Sequence, residues 1–170
     1  MPSTYSPTLV LLSYVVAVLA SHVTLSLAQR LRPSLGASRA ARPHGAWIAG
    51  GAFAMGTGIW SMHFIGMLAF HLPIEVAYDV RLTAASYVIA VVVCGFALHI
   101  FRRNDTSARG IALPGVLIGL GICAMHYTGM DAMRMAPAID YDPWLFSASV
   151  AIAIAAAMAA LWIAFSLPQG

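Results

Sequence analysis

Five long apolar runs, separated by short segments that hold nearly all the charge, order this chain from end to end. Crossing the hydrocarbon core of a bilayer takes about 20 helical residues. The runs Thr8–Ala28, Ala46–Phe70, Leu82–Phe101, Gly110–Met130 and Trp144–Leu167 all meet that length. Backbone groups in lipid must be satisfied within their own segment, so each run is expected to be a helix. Barrel strands would alternate polar and apolar residues, and these runs do not. The pattern predicts an all-α integral membrane fold, a bundle of five transmembrane helices.

Composition agrees. Of 170 residues, 61% are hydrophobic and 9% charged, against about 25% charged in soluble domains. Mean hydropathy is +0.83. The net charge of +3 is small and dispersed, which gives no case for nucleic acid. All the positive charge is arginine, and it is unevenly spread. Arg30, Arg32, Arg39 and Arg42 flank the first connection, and Arg102, Arg103 and Arg109 the third. The second has Arg81 beside Glu75 and Asp79, and the fourth has Arg134 beside Asp131, Asp140 and Asp142. The positive-inside rule puts connections one and three in the cytoplasm. The N-terminus is then periplasmic and the C-terminus cytoplasmic. Trp47, Tyr78, Tyr141 and Trp144 sit near helix ends, where interfacial anchors belong. Cys94 and Cys123 fall inside apolar runs and read as small buried hydrophobes rather than a disulfide.

An internal repeat carries the candidate chemistry. Residues 56–69 read GTGIWSMHFIGMLA and residues 119–132 read GLGICAMHYTGMDA, identical at eight of fourteen positions with an offset of 119 − 56 = 63. The preceding helices match too: Ser13-Tyr14-Val15-Val16-Ala17 resembles Ser86-Tyr87-Val88-Ile89-Ala90, at an offset of 86 − 13 = 73. The unit is a helix pair used twice in one orientation, over about 8–72 and 82–134. Ala148-Ser149-Val150 lines up with Ala85-Ser86-Tyr87, so a partial third unit opens at 144–167 within a single domain, 1–170. A third Met-His pair would fall near position 188, and the sequence is expected to be cut short of its natural domain. A fifth helix without its pair is expected to pack loosely or to be covered in a homo-oligomer.

His63 and Met67 are four apart and share a helix face, with Met62 on the neighbouring stripe. His126, Met130 and Met125 repeat that geometry at matched depth. A single Met-His pair would read as packing. The same constellation twice points to a shared site near the periplasmic face, since ionisable residues inside a span are functional by default. Imidazole with thioether suits copper, Cu(I) above all, and also haem iron. Gly58 and Gly66 bracket Met62, and Gly121 and Gly129 bracket Met125, which fits close helix approach. His71 is expected at the periplasmic surface, and His22 and His99 in packing or interfacial positions. Cys123, one turn before His126, has Trp60 in its place in the other repeat and is set aside. Asp131 and Arg134, three apart, are expected to form an ion pair. No nucleophile–base set or phosphate loop stands out, so no catalysis is expected.

At Met125-His126-Tyr127-Thr128 the chain resembles the MHYT domain, a bacterial membrane sensor module of the inner membrane. Met62-His63-Phe64-Ile65-Gly66-Met67 is similar to the family's usual first motif. The resemblance implies three such motifs, copper held near the outer face, and sensing of oxygen, carbon monoxide or nitric oxide. It also implies further C-terminal helices and cytoplasmic GGDEF and EAL output domains acting on cyclic di-GMP. A copper-handling or haem redox protein, or a plain membrane anchor, are the alternatives.

Overall fold

A computed structural model describes residues 4–31, 44–71, 74–103, 107–136 and 139–166. Five helices dominate it: α1 (Pro7–Leu31), α2 (His44–Ala69), α3 (Val80–Arg103), α4 (Ala108–Asp131) and α5 (Pro143–Ser166). Each is long and apolar enough to cross a membrane, with mean hydropathy between 1.3 and 2.3 over its span. The fold is therefore an all-α membrane bundle, as the pattern predicted, with ends within three residues of those expected. Phe70 leaves helix α2 for a strand pairing. Leu167 and the loop arginines Arg32, Arg39 and Arg42 lie outside the described residues.

The helices pack mainly on their chain neighbours, α1 on α2, α2 on α3, α3 on α4 and α4 on α5. Ala52, Met55, Cys94 and Leu98 form a buried cluster between α2 and α3, edged by Ile48, Ile59 and Val91. Large side chains elsewhere, such as Leu11, Val92, Leu113 and Ile152, face outward, as they should where the solvent is lipid. Cys94 and Cys123 are both buried free thiols.

Two short strand pairings, which the apolar pattern did not announce, close one end of the bundle. β1 (Thr4–Tyr5) pairs antiparallel with β2 (Phe70–His71), and β3 (Ala77–Tyr78) with β4 (Met133–Arg134). They are one device used twice. Tyr5 opposes Phe70 as Tyr78 opposes Met133, which are the same positions under the offsets of 73 and 63. Ser6 N–H donates to the Ala69 carbonyl as Asp79 N–H does to that of Ala132. Asp79 then caps α3, its Oδ1 accepting from the amides of Arg81 and Leu82. Asp142 does the same for α5 with Trp144 and Leu145. A carboxylate at this position satisfies helix amides that have no partner inside the helix.

The helix contacts repeat as well. A Cβ on Gly56 would lie 2.7 Å from Val91 Cα, and one on Gly119 would lie 2.5 Å from Ile154 Cα. Gly58 abuts Ala20, and Gly121 abuts Val93. One repeat position exchanges sizes across the interface: Ala52 meets Gly95, whereas Gly115 meets Met158. Small residues let backbones approach closely where hydrophobic burial cannot drive association.

Candidate metal centre

His63 lies six residues before the end of α2, and His126 five before the end of α4. At 1.5 Å per residue, both imidazoles sit about 8–9 Å inside the hairpin-closed end. The two rings meet with centroids 4.8 Å apart, tilted by 58°. Gly129 lies beside this contact. A Cβ there would stand 3.4 Å from His63 Nε2 and 3.9 Å from Met67 Sδ. Thus His63, His126 and Met67 converge between α2 and α4.

His63 Nε2 is buried and has no hydrogen-bond partner among the described residues. A buried polar atom without a partner is costly, by roughly 1–3 kcal/mol, and calls for explanation. The other methionines singled out by the sequence are placed differently. Met125 is buried, and the Met62 carbonyl accepts a hydrogen bond of 2.7 Å from Ser13 Oγ. Met130 follows His126 by one turn and lines a cleft at the hairpin end.

The Tyr127 ring lies 5.0 Å from that of His126, and the same helices carry further aromatic and hydroxyl pairs. Trp60 stacks on Phe64 at 4.8 Å, and its Nε1–H donates to Ser86 Oγ at 2.9 Å. Ser86 is fully buried and in turn donates to the Thr83 carbonyl. Thr57 and Tyr87 share a hydrogen bond of 2.9 Å. The Tyr127 hydroxyl bonds Ser149 Oγ at 2.5 Å, and its ring lies 5.3 Å from Tyr141. Burial, then the nearby Asp131 and Tyr127, push the Tyr141 hydroxyl up from its ordinary pKa.

Arg134 corrects one expectation. Its Nη2 bonds Asp79 Oδ2 at 2.9 Å, across the β3–β4 pairing, rather than Asp131 on its own segment. The strand pairing aims the guanidinium at the α3 cap, an alignment invisible to sequence spacing. That hydrogen bond, with the Leu82 and Arg81 amides and the Arg134 charge, outweighs burial and holds the Asp79 carboxyl below its ordinary pKa. His71, in β2, is exposed at a surface. His22 is exposed and His99 half-buried.

Among the described residues, no group of three or more histidine, cysteine or acidic side chains could hold a metal. A metal at this crossing would depend on thioethers to complete its shell. The two imidazoles, the orphaned Nε2 and the Met67 sulfur fit a soft ion of low coordination number.

Comparisons with known proteins bear on this chain directly. The family model for the MHYT repeat, described as a bacterial signalling protein N-terminal repeat, matches residues 1–41, 56–113 and 119–170. The chain is 49% identical over 168 residues to the bifunctional diguanylate cyclase/cyclic di-GMP phosphodiesterase MucR of Pseudomonas aeruginosa, covering 99% of this chain and 24% of that protein. It is 45% identical over 158 residues to the cyclic di-GMP phosphodiesterase NbdA of the same organism, covering 93% of this chain and 19% of NbdA. To the signalling protein YkoW of Bacillus subtilis it is 35% identical over 164 residues, covering 96% of this chain and 20% of YkoW. The chain thus spans a quarter or less of the length of these relatives. No solved structure matches it.

Proposed function

The chain belongs to the MHYT family of bacterial signalling repeats, and from that membership and the paired histidines we propose that it is a membrane-embedded sensor module holding copper between α2 and α4. His63, His126 and Met67 form the centre of the ligand set, with Met130, Met62 and Met125 available from the adjoining turns. In this reading the ion reports redox state or a diatomic gas (oxygen, carbon monoxide or nitric oxide) by a change in its ligation. The chain itself performs no catalysis.

One observation carries the reading: a buried imidazole nitrogen without a partner among the described residues, in a ring packed against a second imidazole and beside a thioether. A bound ion would satisfy that nitrogen and draw the two helices into one coordination shell. The 4.8 Å ring separation leaves no room for a porphyrin between the imidazoles, which favours a bare ion over haem. The names of MucR and NbdA support output through enzymes that make or degrade cyclic di-GMP. The arginine distribution supports a bacterial inner-membrane protein with the hairpin end outside, where small diffusing ligands arrive.

Copper stoichiometry on purified protein tests this. His63→Ala with His126→Ala is expected to remove one equivalent of the copper bound by the wild type, the one with nitrogen neighbours. Equal copper in the double variant refutes these ligands. A Soret band lost in the same variant would assign the site to haem.

A further inference from the structure

The hairpin end carries a second concentration of sulfur. A cleft of about 370 Å³ opens there, and Met130, Met133 and Met135 line it together with Asp131 and Arg134. The three thioethers arrive from two kinds of backbone. Met130 belongs to the last turn of α4, and Met133 opens the β4 pairing. Met135 lies two residues beyond Met133 on the extended chain, a spacing that returns a side chain to the same face. The β3–β4 pairing fixes this segment across the mouth of the bundle.

The charge in the cleft favours a cation. Arg134 is drawn onto Asp79, 2.9 Å away, so its charge is compensated from outside the cleft. Asp131 adds a carboxylate to the lining. The donors themselves are neutral and polarisable. Hard cations such as magnesium and calcium demand oxygen shells, whereas thioethers select Cu(I) and its congener Ag(I).

We propose that Met133 and Met135, with Met130 shared between the cleft and the histidine centre, form a thioether-only site for a soft monovalent cation that does not depend on the histidine pair. Met130 follows His126 by four residues and shares its helix face. One helical turn, about 6 Å along the axis, separates the cleft from the buried imidazoles. An ion held first by neutral sulfur in the cleft can pass down that face without crossing bare hydrocarbon. This acquisition role rests on the copper reading above; the thioether site itself does not.

Silver ion, which has no accessible redox step under these conditions, is the probe. Three proteins are titrated with Ag⁺ in detergent: His63→Ala/His126→Ala, Met133→Leu/Met135→Leu, and the four substitutions combined. The histidine-less protein is expected to keep one silver equivalent, with an X-ray absorption shell of sulfur alone. The combined variant should lose that equivalent or bind it at least ten-fold more weakly. Leucine conserves methionine's volume and is usually tolerated, and unchanged helical circular dichroism checks the fold. Silver retained at full affinity by the combined variant overturns the site. So does a histidine-less protein that binds no silver, or one whose silver has nitrogen or oxygen neighbours. Failure of the copper reading alone would show differently: the histidine pair would bind no copper while the sulfur-bound silver persisted.

Discussion

Replacing Gly119 by alanine tests whether the repeated helix contact holds α5 in place. The added methyl would stand 2.5 Å from Ile154 Cα and 2.8 Å from Ile154 N. Those are backbone atoms, so no rotamer change relieves the clash, and α5 must move. Overpacking of this kind costs typically about 1–3 kcal/mol, and backbone obstruction places Gly119→Ala in the upper half of that range. Alanine's helix preference over glycine works in the opposite direction by up to about 1 kcal/mol. It acts weakly here, because a membrane helix stays helical when its neighbours leave. Gly50→Ala supplies the control, since a Cβ there meets nothing within 4 Å. The difference between the two variants isolates the α4–α5 contact, and a net loss of about 2 kcal/mol is expected. Purified protein in mixed micelles is unfolded by rising SDS fraction and followed by tryptophan fluorescence. Gly119→Ala as stable as Gly50→Ala would refute the close approach of α4 and α5.

Three further outcomes follow from the geometry. Asp79 has a depressed pKa, so its pairing with Arg134 and the α3 amides stabilises the fold above the ordinary value of 3.8 and is lost as pH falls through the lower folded value. Thermal stability of Asp79→Asn in detergent should therefore sit below wild type at neutral pH and converge with it in strong acid; parallel curves throughout would contradict the assignment. Trp60→Phe keeps an aromatic, though smaller, side chain and removes the bond to the fully buried Ser86, with an expected loss of at least about 0.6–1.7 kcal/mol in the same SDS assay; an unchanged midpoint would mean the bond contributes nothing. Reporter fusions after Arg42 and after Asp142 should report cytoplasm and periplasm respectively, and the reverse pattern would overturn the orientation proposed for the hairpin end.

The helices were legible because lipid leaves a chain few choices. A run such as Gly110–Met130, apolar throughout and long enough to cross, can satisfy its backbone only as a helix. The pairing of helices was legible through the motif offset. Of the glycines flagged for close approach, Gly58 and Gly121 press on Ala20 and Val93 of neighbouring helices, whereas Gly66 and Gly129 make only ordinary contacts with Ser13 and His63. What escaped was set by contacts between segments far apart in sequence. Two-residue strands such as Tyr78 against Met133 carry too little pattern to register. Arg134 was assigned to Asp131 on spacing, yet the strand pairing carries it to Asp79, 55 residues away. Gly56 and Gly119 make the nearest backbone contacts and were missed as packing residues, although they open the repeated motif. Met133 and Met135 went unremarked because only the cleft, which no local pattern encodes, brings them to Met130.

The place where the repeat fails is the place where the candidate chemistry sits. Offsets of 63 and 73 relate the strand pairings, the aspartate caps and the glycine contacts, all of them between chain neighbours. Gly66 follows that rule and faces Ser13 on α1, with Ser13 Oγ 3.6 Å from the position of its Cβ. Its counterpart Gly129 would then face Ser86 on α3. Instead it faces His63 on α2, while Ser86 is bound to Trp60. The position of Cys123 in the second motif is held by Trp60 in the first, and that substitution supplies the indole that occupies Ser86. One asymmetric pair thus turns a contact between neighbours into a contact between alternate helices. The array breaks at Trp60 and Gly129, beside the point where the two imidazoles meet. A Trp60→Cys substitution, which restores the symmetry, should therefore loosen the His63–His126 approach without touching either imidazole.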